Sequence, residues 1–203
     1  QRYKDEILKE IPEVDGILGT ANYDAIAEIV KQSLSKELEE AVNSECFSLD
    51  RLPKLSKRII TTGGYYAHLK IAEGCNKNCT YCIIPKIRGK YRSYPIEELV
   101  AQAVELAESG VKELILVAQE TTLYGVDLYG EKSLHKLLKE LCKIKALKFI
   151  RIMYCYPEEI YDELIETIKN EINKYQEQFD NSPAEQYVCN RGITQKTYQQ
   201  FDF

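Results

Sequence analysis

The chain has 203 residues, 44% of them hydrophobic and 29% charged, enough apolar material for one or two globular domains and too much for wholesale disorder. Its 27 basic and 32 acidic side chains leave a net charge of −5, which argues against a protein whose main work is coating nucleic acid. No apolar run reaches the roughly 20 residues of a membrane span, and no basic start followed by an apolar stretch marks a signal peptide.

Because the first residue is Gln1, the chain reads as a fragment or a processed product. Residues 1–42 read as the end of an α/β unit whose opening strands would precede residue 1. They hold a short helical piece over Asp5 to Ile11 and a strand over Val14 to Leu18 closed by Gly19. Asn22 then caps a helix to about Leu34, with Ile26, Ile29 and Val30 on one face. Residues 43–66 have few periodic apolar positions, contain Pro53 and Gly63-Gly64, and read as a linker with basic Lys54, Lys57 and Arg58.

From residue 67 the rhythm is strand, helix, strand. Ala67 to Ile71 alternates as a strand ending at Glu73-Gly74. Pro95 opens a helix with Ile96, Leu99, Val100, Ala103, Val104 and Ala107 at helical spacing and Gly110 as its stop. Leu114 to Ala118 is a continuous apolar run, the pattern of a parallel strand buried on both faces. Ser133 caps a helix striped by Leu134, Leu137, Leu138 and Leu141, and Phe149 to Cys155 is a third strand. Pro157 starts a third helix running to about Lys169. Consecutive strand–helix units of this kind make an α/β fold, either a barrel or a doubly wound sheet, and there is material here for about half a barrel. After residue 172 the pattern stops, and the glutamine-rich segment 173–203 reads as a poorly ordered tail.

The cysteines carry the chemistry. The chain has seven, an odd count that suits a reducing compartment with one metal or redox site better than a disulfide framework. Cys46, Cys142, Cys155 and Cys189 stand alone and read as small core hydrophobes. Cys75, Cys79 and Cys82 instead form a C-x3-C-x2-C run directly after the first strand, at the carboxyl end where α/β folds place their sites. A structural zinc site wants four ligands, and the two histidines, His68 on the strand and His135 on a helix, are ordinary core or surface residues by position. Three thiolates on one short loop suit a four-iron, four-sulfide cluster with one iron left open, to which S-adenosylmethionine can bind through its amino and carboxylate groups. A non-catalytic zinc or iron–sulfur module is the competing reading.

With Tyr81 just before its last cysteine, this run resembles the signature of the radical S-adenosylmethionine superfamily. Gly74-Cys75, Tyr81-Cys82-Ile83-Ile84-Pro85, Arg88-Gly89 and Arg92-Ser93 resemble the methylthiotransferases within it, as do Gln1-Arg2-Tyr3 and Ile11-Pro12-Glu13-Val14-Asp15-Gly16. Gln119-Glu120-Thr121-Thr122 and Tyr154-Cys155-Tyr156-Pro157 are similar to the branch that modifies an aspartate of a small-subunit ribosomal protein. The branch acting on a transfer-RNA adenosine, which tends to Gln-Asn at the first of these places, is the alternative.

The resemblance implies a partial radical-SAM (β/α) barrel over residues 67–172, preceded at 1–42 by the end of an α/β N-terminal methylthiotransferase domain. It implies a 4Fe-4S cluster on Cys75, Cys79 and Cys82, and S-adenosyl-L-methionine contacted by Tyr81, Gln119 and Glu120. An external electron donor, a ribosomal-protein substrate and a cytoplasmic location go with it. Arg88 and Arg92 read as solvated surface charge, and no residue is assigned a catalytic role. The family's first domain carries three more cysteines that hold a second cluster, and none is present in this sequence; the later barrel strands and a small C-terminal β-domain are also missing from it. Tyr94 stands where the family usually has arginine. Half a barrel would leave sheet edges open and the fragment prone to aggregate and inactive by itself.

Overall fold

The computed structural model describes residues 3–14, 17–35, 49, 51–55, 58–61 and 63–179, and the chain divides into two units, Gln1–Glu159 and Ile160–Phe203. The first unit runs α1 (Lys4–Glu10), α2 (Ile26–Ser35), β1 (Tyr66–Lys70), β2 (Ala72–Glu73), α3 (Ile84–Arg88) and β3 (Arg92–Ser93). It continues through α4 (Ile96–Glu108), β4 (Glu113–Val117), α5 (Val126–Tyr129), α6 (Leu134–Leu141) and β5 (Phe149–Ile152). The second unit contributes α7 (Asp162–Phe179).

The three apolar runs pair as a parallel sheet in the order β1-β4-β5. Ala67 lies opposite Leu114 and Leu69 opposite Leu116, while Leu114 and Leu116 lie opposite Ile150 and Ile152. Period-two geometry puts these on one face, where Ala67, Leu69, Leu114 and Leu116 are buried together with Leu99, Ala103 and Leu106 of α4 and Leu134, Leu137 and Leu141 of α6. Each such leucine, fully withdrawn from water, contributes roughly 1.5–3 kcal/mol. The expectation of a β4 buried on both faces fails: Ile115 and Val117 remain half-buried beside buried Leu114 and Leu116. The physical reason is alternation: Leu114 and Leu116 share their face with the buried residues of α4 and α6, whereas Ile115 and Val117 point to the opposite one.

The helix ends follow local chemistry. Glu97 and Glu98 sit in the first turn of α4, where the positive end of the helix dipole favours acid, and the Tyr129 hydroxyl accepts the Ile96 N–H at 3.1 Å. At the other end Val111 N donates to Leu106 O and Gly110 N to Ala107 O, with Gly110 at φ +106°. That is the left-handed glycine stop expected from the sequence. Ser133 does precede α6, but its hydroxyl donates to Glu131 O rather than capping the helix. Likewise Asn22 makes no side-chain cap; its amide oxygen accepts from Arg51.

Other expectations need correction. Val14, Ile17 and Leu18 are irregular rather than a strand, with Asp15 and Gly16 outside the described residues. Ile26 and Val30 of α2 are exposed. The third strand ends at Ile152, and Pro157–Glu159 is a single 3-10 turn, so the following helix begins at Asp162 and runs past Lys169 to Phe179. Residues 180–203, and residues 43–48, 50, 56, 57 and 62 of the expected linker, lie outside the described residues. Cys155 is exposed and Cys142 half-buried, so the former is not a core hydrophobe; Cys46 and Cys189 lie outside the described residues.

Candidate metal and cofactor site

A short antiparallel clip creates the site. Ala72 pairs with Ser93 and Glu73 with Arg92, so residues 74–91 leave and return at one point beyond the carboxyl end of β1. Above the clip, Cys75 N donates to Gly89 O at 3.2 Å and Tyr91 N to Asn76 Oδ1 at 2.9 Å. Gly74 takes φ +82° and passes so near Lys90 that a Cβ there would stand 2.1 Å from its carbonyl oxygen. Arg92 caps the return: its guanidinium donates to Lys90 O and, at 2.9 Å, to Arg88 O. Arg92 is therefore a structural brace rather than a solvated charge, and Arg88 reaches within 3.7 Å of buried Glu73.

The three cysteines are all free and half-buried on this loop. Cys82 N donates to Cys79 O at 3.0 Å, and Lys77 N lies 3.4 Å from Cys75 Sγ as an N–H to sulfur donor. Among the described residues no three His, Cys, Asp or Glu side chains stand close enough together to hold a metal ion. The thiols thus share a loop without converging on one point, as is usual where metal binding itself orders the ligands.

The strand ends beside the loop are packed with charge. Glu73 is only 1% exposed. Its carboxylate is paired with Lys70 and Arg88 and accepts from Gln119 Nε2 at 3.0 Å and Gly74 N at 3.3 Å. Gln119 Oε1 is buried and has no hydrogen-bond partner, the costly state of an acceptor deprived of water. Glu120, 3% exposed, is already engaged: Oε1 accepts from Thr122 N at 3.1 Å and from the Thr122 hydroxyl, and Oε2 lies 3.8 Å from Lys77 Nζ. Its backbone oxygen accepts the Tyr91 hydroxyl at 2.7 Å, and burial together with nearby Asp127 and Glu120 pushes the Tyr91 phenol well above its usual range.

Gln119 is therefore the strand-end residue with bonding capacity left, whereas the Glu120 carboxylate serves the local structure. Tyr81 is 90% exposed at the tip of the loop. A cavity of about 270 Å³ does open beside Lys70, Lys54 and Arg58 on the side of β1, but its walls include neither Tyr81 nor Gln119 nor Glu120. Sequence reasoning missed Glu73, Asn76 and Lys77. For Glu73 the available signal was an acid immediately after an apolar strand; for the other two it was only their place between the cysteines.

Residues 69–198 match the sequence profile of the Radical SAM superfamily, well over half of the chain, and the chain belongs to that superfamily. Its cofactors are accordingly a 4Fe-4S cluster and S-adenosylmethionine. At the level of individual proteins, it is similar to the ribosomal protein uS12 methylthiotransferase RimO of Lachnoclostridium phytofermentans, with 60% identity over 172 residues, 84% of this chain and 38% of that protein. The proteins of the same name from Clostridium botulinum and Clostridioides difficile are each 52% identical over 170 residues, 83% of this chain and 37% of theirs. The chain thus spans less than two-fifths of the length of these curated relatives.

The residues present suit those cofactors on two counts. Three soft thiol donors on one partly open loop match iron–sulfur ligation. The unpaired buried oxygen of Gln119 is an acceptor that an amino or hydroxyl group of a neighbouring ligand would satisfy. In the described residues no helix is long and apolar enough to cross a membrane.

Proposed function

We propose that this chain is the cluster-binding part of a methylthiotransferase that attaches a methylthio group to an aspartate of small-subunit ribosomal protein uS12. The observation that carries the reading is the position of Cys75, Cys79 and Cys82: three half-buried thiols on one loop, clipped at the carboxyl end of a parallel strand. The choice of substrate is supported by the names of the relatives, and by Gln119-Glu120-Thr121-Thr122 at the end of β4.

In this reading Cys75, Cys79 and Cys82 hold the cluster. When bound, cluster and S-adenosylmethionine together supply one-electron chemistry able to open an unactivated C–H bond. The chain's own residues hold and orient. Gly74, Asn76 and the β2–β3 clip fix the base of the loop, and the Lys77 amide donates to Cys75 sulfur, an interaction that tunes such centres. Gln119, anchored through Nε2 to Glu73, offers Oε1 to the cofactor. Glu120 supports the adjoining Thr122 turn, and Tyr81, exposed at the loop tip, faces the cofactor from the cysteine side.

The domain reading follows: residues 1–42 as the end of an N-terminal methylthiotransferase domain, 43–66 as linker, 67–172 as part of a (β/α) barrel and 173–203 as a divergent tail, corrected at its start because α7 continues to Phe179. An electron donor and a cytoplasmic setting, where thiols stay reduced, belong to the same proposal. The test uses a whole protein that contains this segment, reconstituted anaerobically with iron and sulfide and supplied with S-adenosylmethionine and reductant. Mass spectrometry of uS12 is expected to find the added mass of one methylthio group on an aspartate. Unmodified uS12 together with a methylthiolated transfer RNA would overturn the choice of substrate.

A further inference from the structure

Lys77 is the middle residue of the first cysteine spacing, and its side chain turns away from the cysteines toward the sheet. Its ammonium lies 2.8 Å from Glu159 Oε1 and 3.8 Å from Glu120 Oε2, and 3.7 Å from the centre of the Tyr156 ring. Glu159 is in turn held by Lys132, whose ammonium is 2.9 Å from Oε2 and donates to the Glu159 backbone oxygen at 2.9 Å. The result is an alternating chain of charges, Lys132–Glu159–Lys77–Glu120. It joins four segments distant in sequence: the entry to α6, the turn after β5, the cysteine loop and the end of β4. The partners are only partly exposed, with Lys77 at 22% and Glu120 at 3%, so water weakens these attractions less than at an open surface. An ammonium over an aromatic face adds an attraction that does not depend on the carboxylates.

We propose that Lys77 is a positioning residue: its charge tethers the cysteine loop to the carboxyl ends of β4 and β5, so that the thiols are presented next to Gln119 rather than swinging free. The link matters because, among the described residues, the loop's other ties, from Cys75 N to Gly89 O and from Tyr91 N to Asn76 Oδ1, lie at its base. Beyond Lys77 the loop runs through Asn78, Thr80 and Tyr81, all exposed. Its functional meaning, though not the tether itself, rests on the reading of the three cysteines as cluster ligands.

The experiment uses the 203-residue chain and the variants K77M, K77R, E159Q and K77M/E159Q. Hydrogen exchange read by mass spectrometry is first followed over residues 75–82 without iron. K77M and E159Q are expected to speed exchange there by about 1.5- to 5-fold, the range of a partly exposed ion pair. K77R, which keeps the charge, restores the parent rate, and the double variant exchanges no faster than the faster single one, because both changes break the same link. Unchanged exchange in K77M, or K77R exchanging as fast as K77M, overturns the tether.

After anaerobic reconstitution, the cluster's reduction potential separates charge from mere loosening. K77M removes a positive charge and lowers the potential, while E159Q removes a negative one and raises it. Shifts of the same sign in both variants contradict positioning by charge. A parent chain that takes up no iron defeats the cluster reading instead, and leaves the exchange result to stand by itself.

Discussion

At Gly74 a side chain has nowhere to go: a Cβ would stand 2.1 Å from Lys90 O and 2.6 Å from Gly89 O, both backbone atoms, in a residue whose φ is already +82°. Gly74→Ala would have to relieve the clash and also bear a left-handed conformation costing about 1–2 kcal/mol by itself. Urea unfolding of G74A is expected to show a loss of at least about 2 kcal/mol, with reduced iron uptake after reconstitution. A variant as stable as the parent would mean that the approach of residue 74 to residues 89–90 is not a fixed feature. Tyr94 is held as closely. It is buried, its hydroxyl donates to Pro53 O at 3.0 Å, and its own backbone oxygen accepts the Tyr124 hydroxyl at 2.7 Å, so it bridges two distant segments.

Among the elements, β4 is central in the sheet, and Leu116 is fully buried between Leu69 and Ile152. Leu116→Ala is expected to cost about 2–5 kcal/mol in urea unfolding, the range for a leucine removed from a packed core. Ile115→Ala, on the half-buried face, should cost clearly less, and equal losses would contradict the one-sided burial described above. A second element-level tie joins the segment 51–55 to the 3-10 turn Tyr23–Ala25 that precedes α2. Arg51 donates to Asp24 at 3.1 and 2.6 Å, and Lys54 N donates to it at 2.9 Å. Burial pushes the Asp24 carboxyl up, but the Lys54 amide and the Arg51 guanidinium outweigh it and hold it below its ordinary value of 3.8. A carboxyl lowered in the folded state contributes stability that is fully present above the ordinary value and is lost as pH falls through the folded one. The stability gap between parent and Asp24→Asn, up to about 1 kcal/mol for so partly exposed a pair, should therefore be constant near neutrality and close only below pH 3.8. A gap independent of pH down to full protonation would show that the ion pair contributes nothing.

For the whole molecule, the parts legible in the sequence were those written in local periodicity and spacing. The stripe of α4, its glycine stop, the leucines of α6 and the cysteine run after β1 each declare themselves within a few residues. What the sequence hid depends on distant partners. The β2–β3 clip is two residues long on each side, too short for any alternation to show. The half-open face of β4 depends on which layers surround it, and the engagement of Glu120 by Thr122 and Lys77 cannot be read from a polar strand end. Gln119 and Glu120 are neighbours in sequence, yet one retains an unpaired oxygen while the other is engaged at both, a difference made by Glu73 on one side and by Thr122 and Lys77 on the other.

The central claim is that one loop supplies three thiolates to a single iron–sulfur cluster. Its most direct test is anaerobic reconstitution of the 203-residue chain with iron and sulfide, followed by iron, sulfide and zinc analysis of the parent and of Cys75→Ala, Cys79→Ala and Cys82→Ala. About four irons per parent chain, with severe loss in each variant and a change in the reduced cluster's electron paramagnetic resonance spectrum on adding S-adenosylmethionine, is the predicted result. One tightly held zinc and no iron, or iron retained after any of the three substitutions, would contradict it.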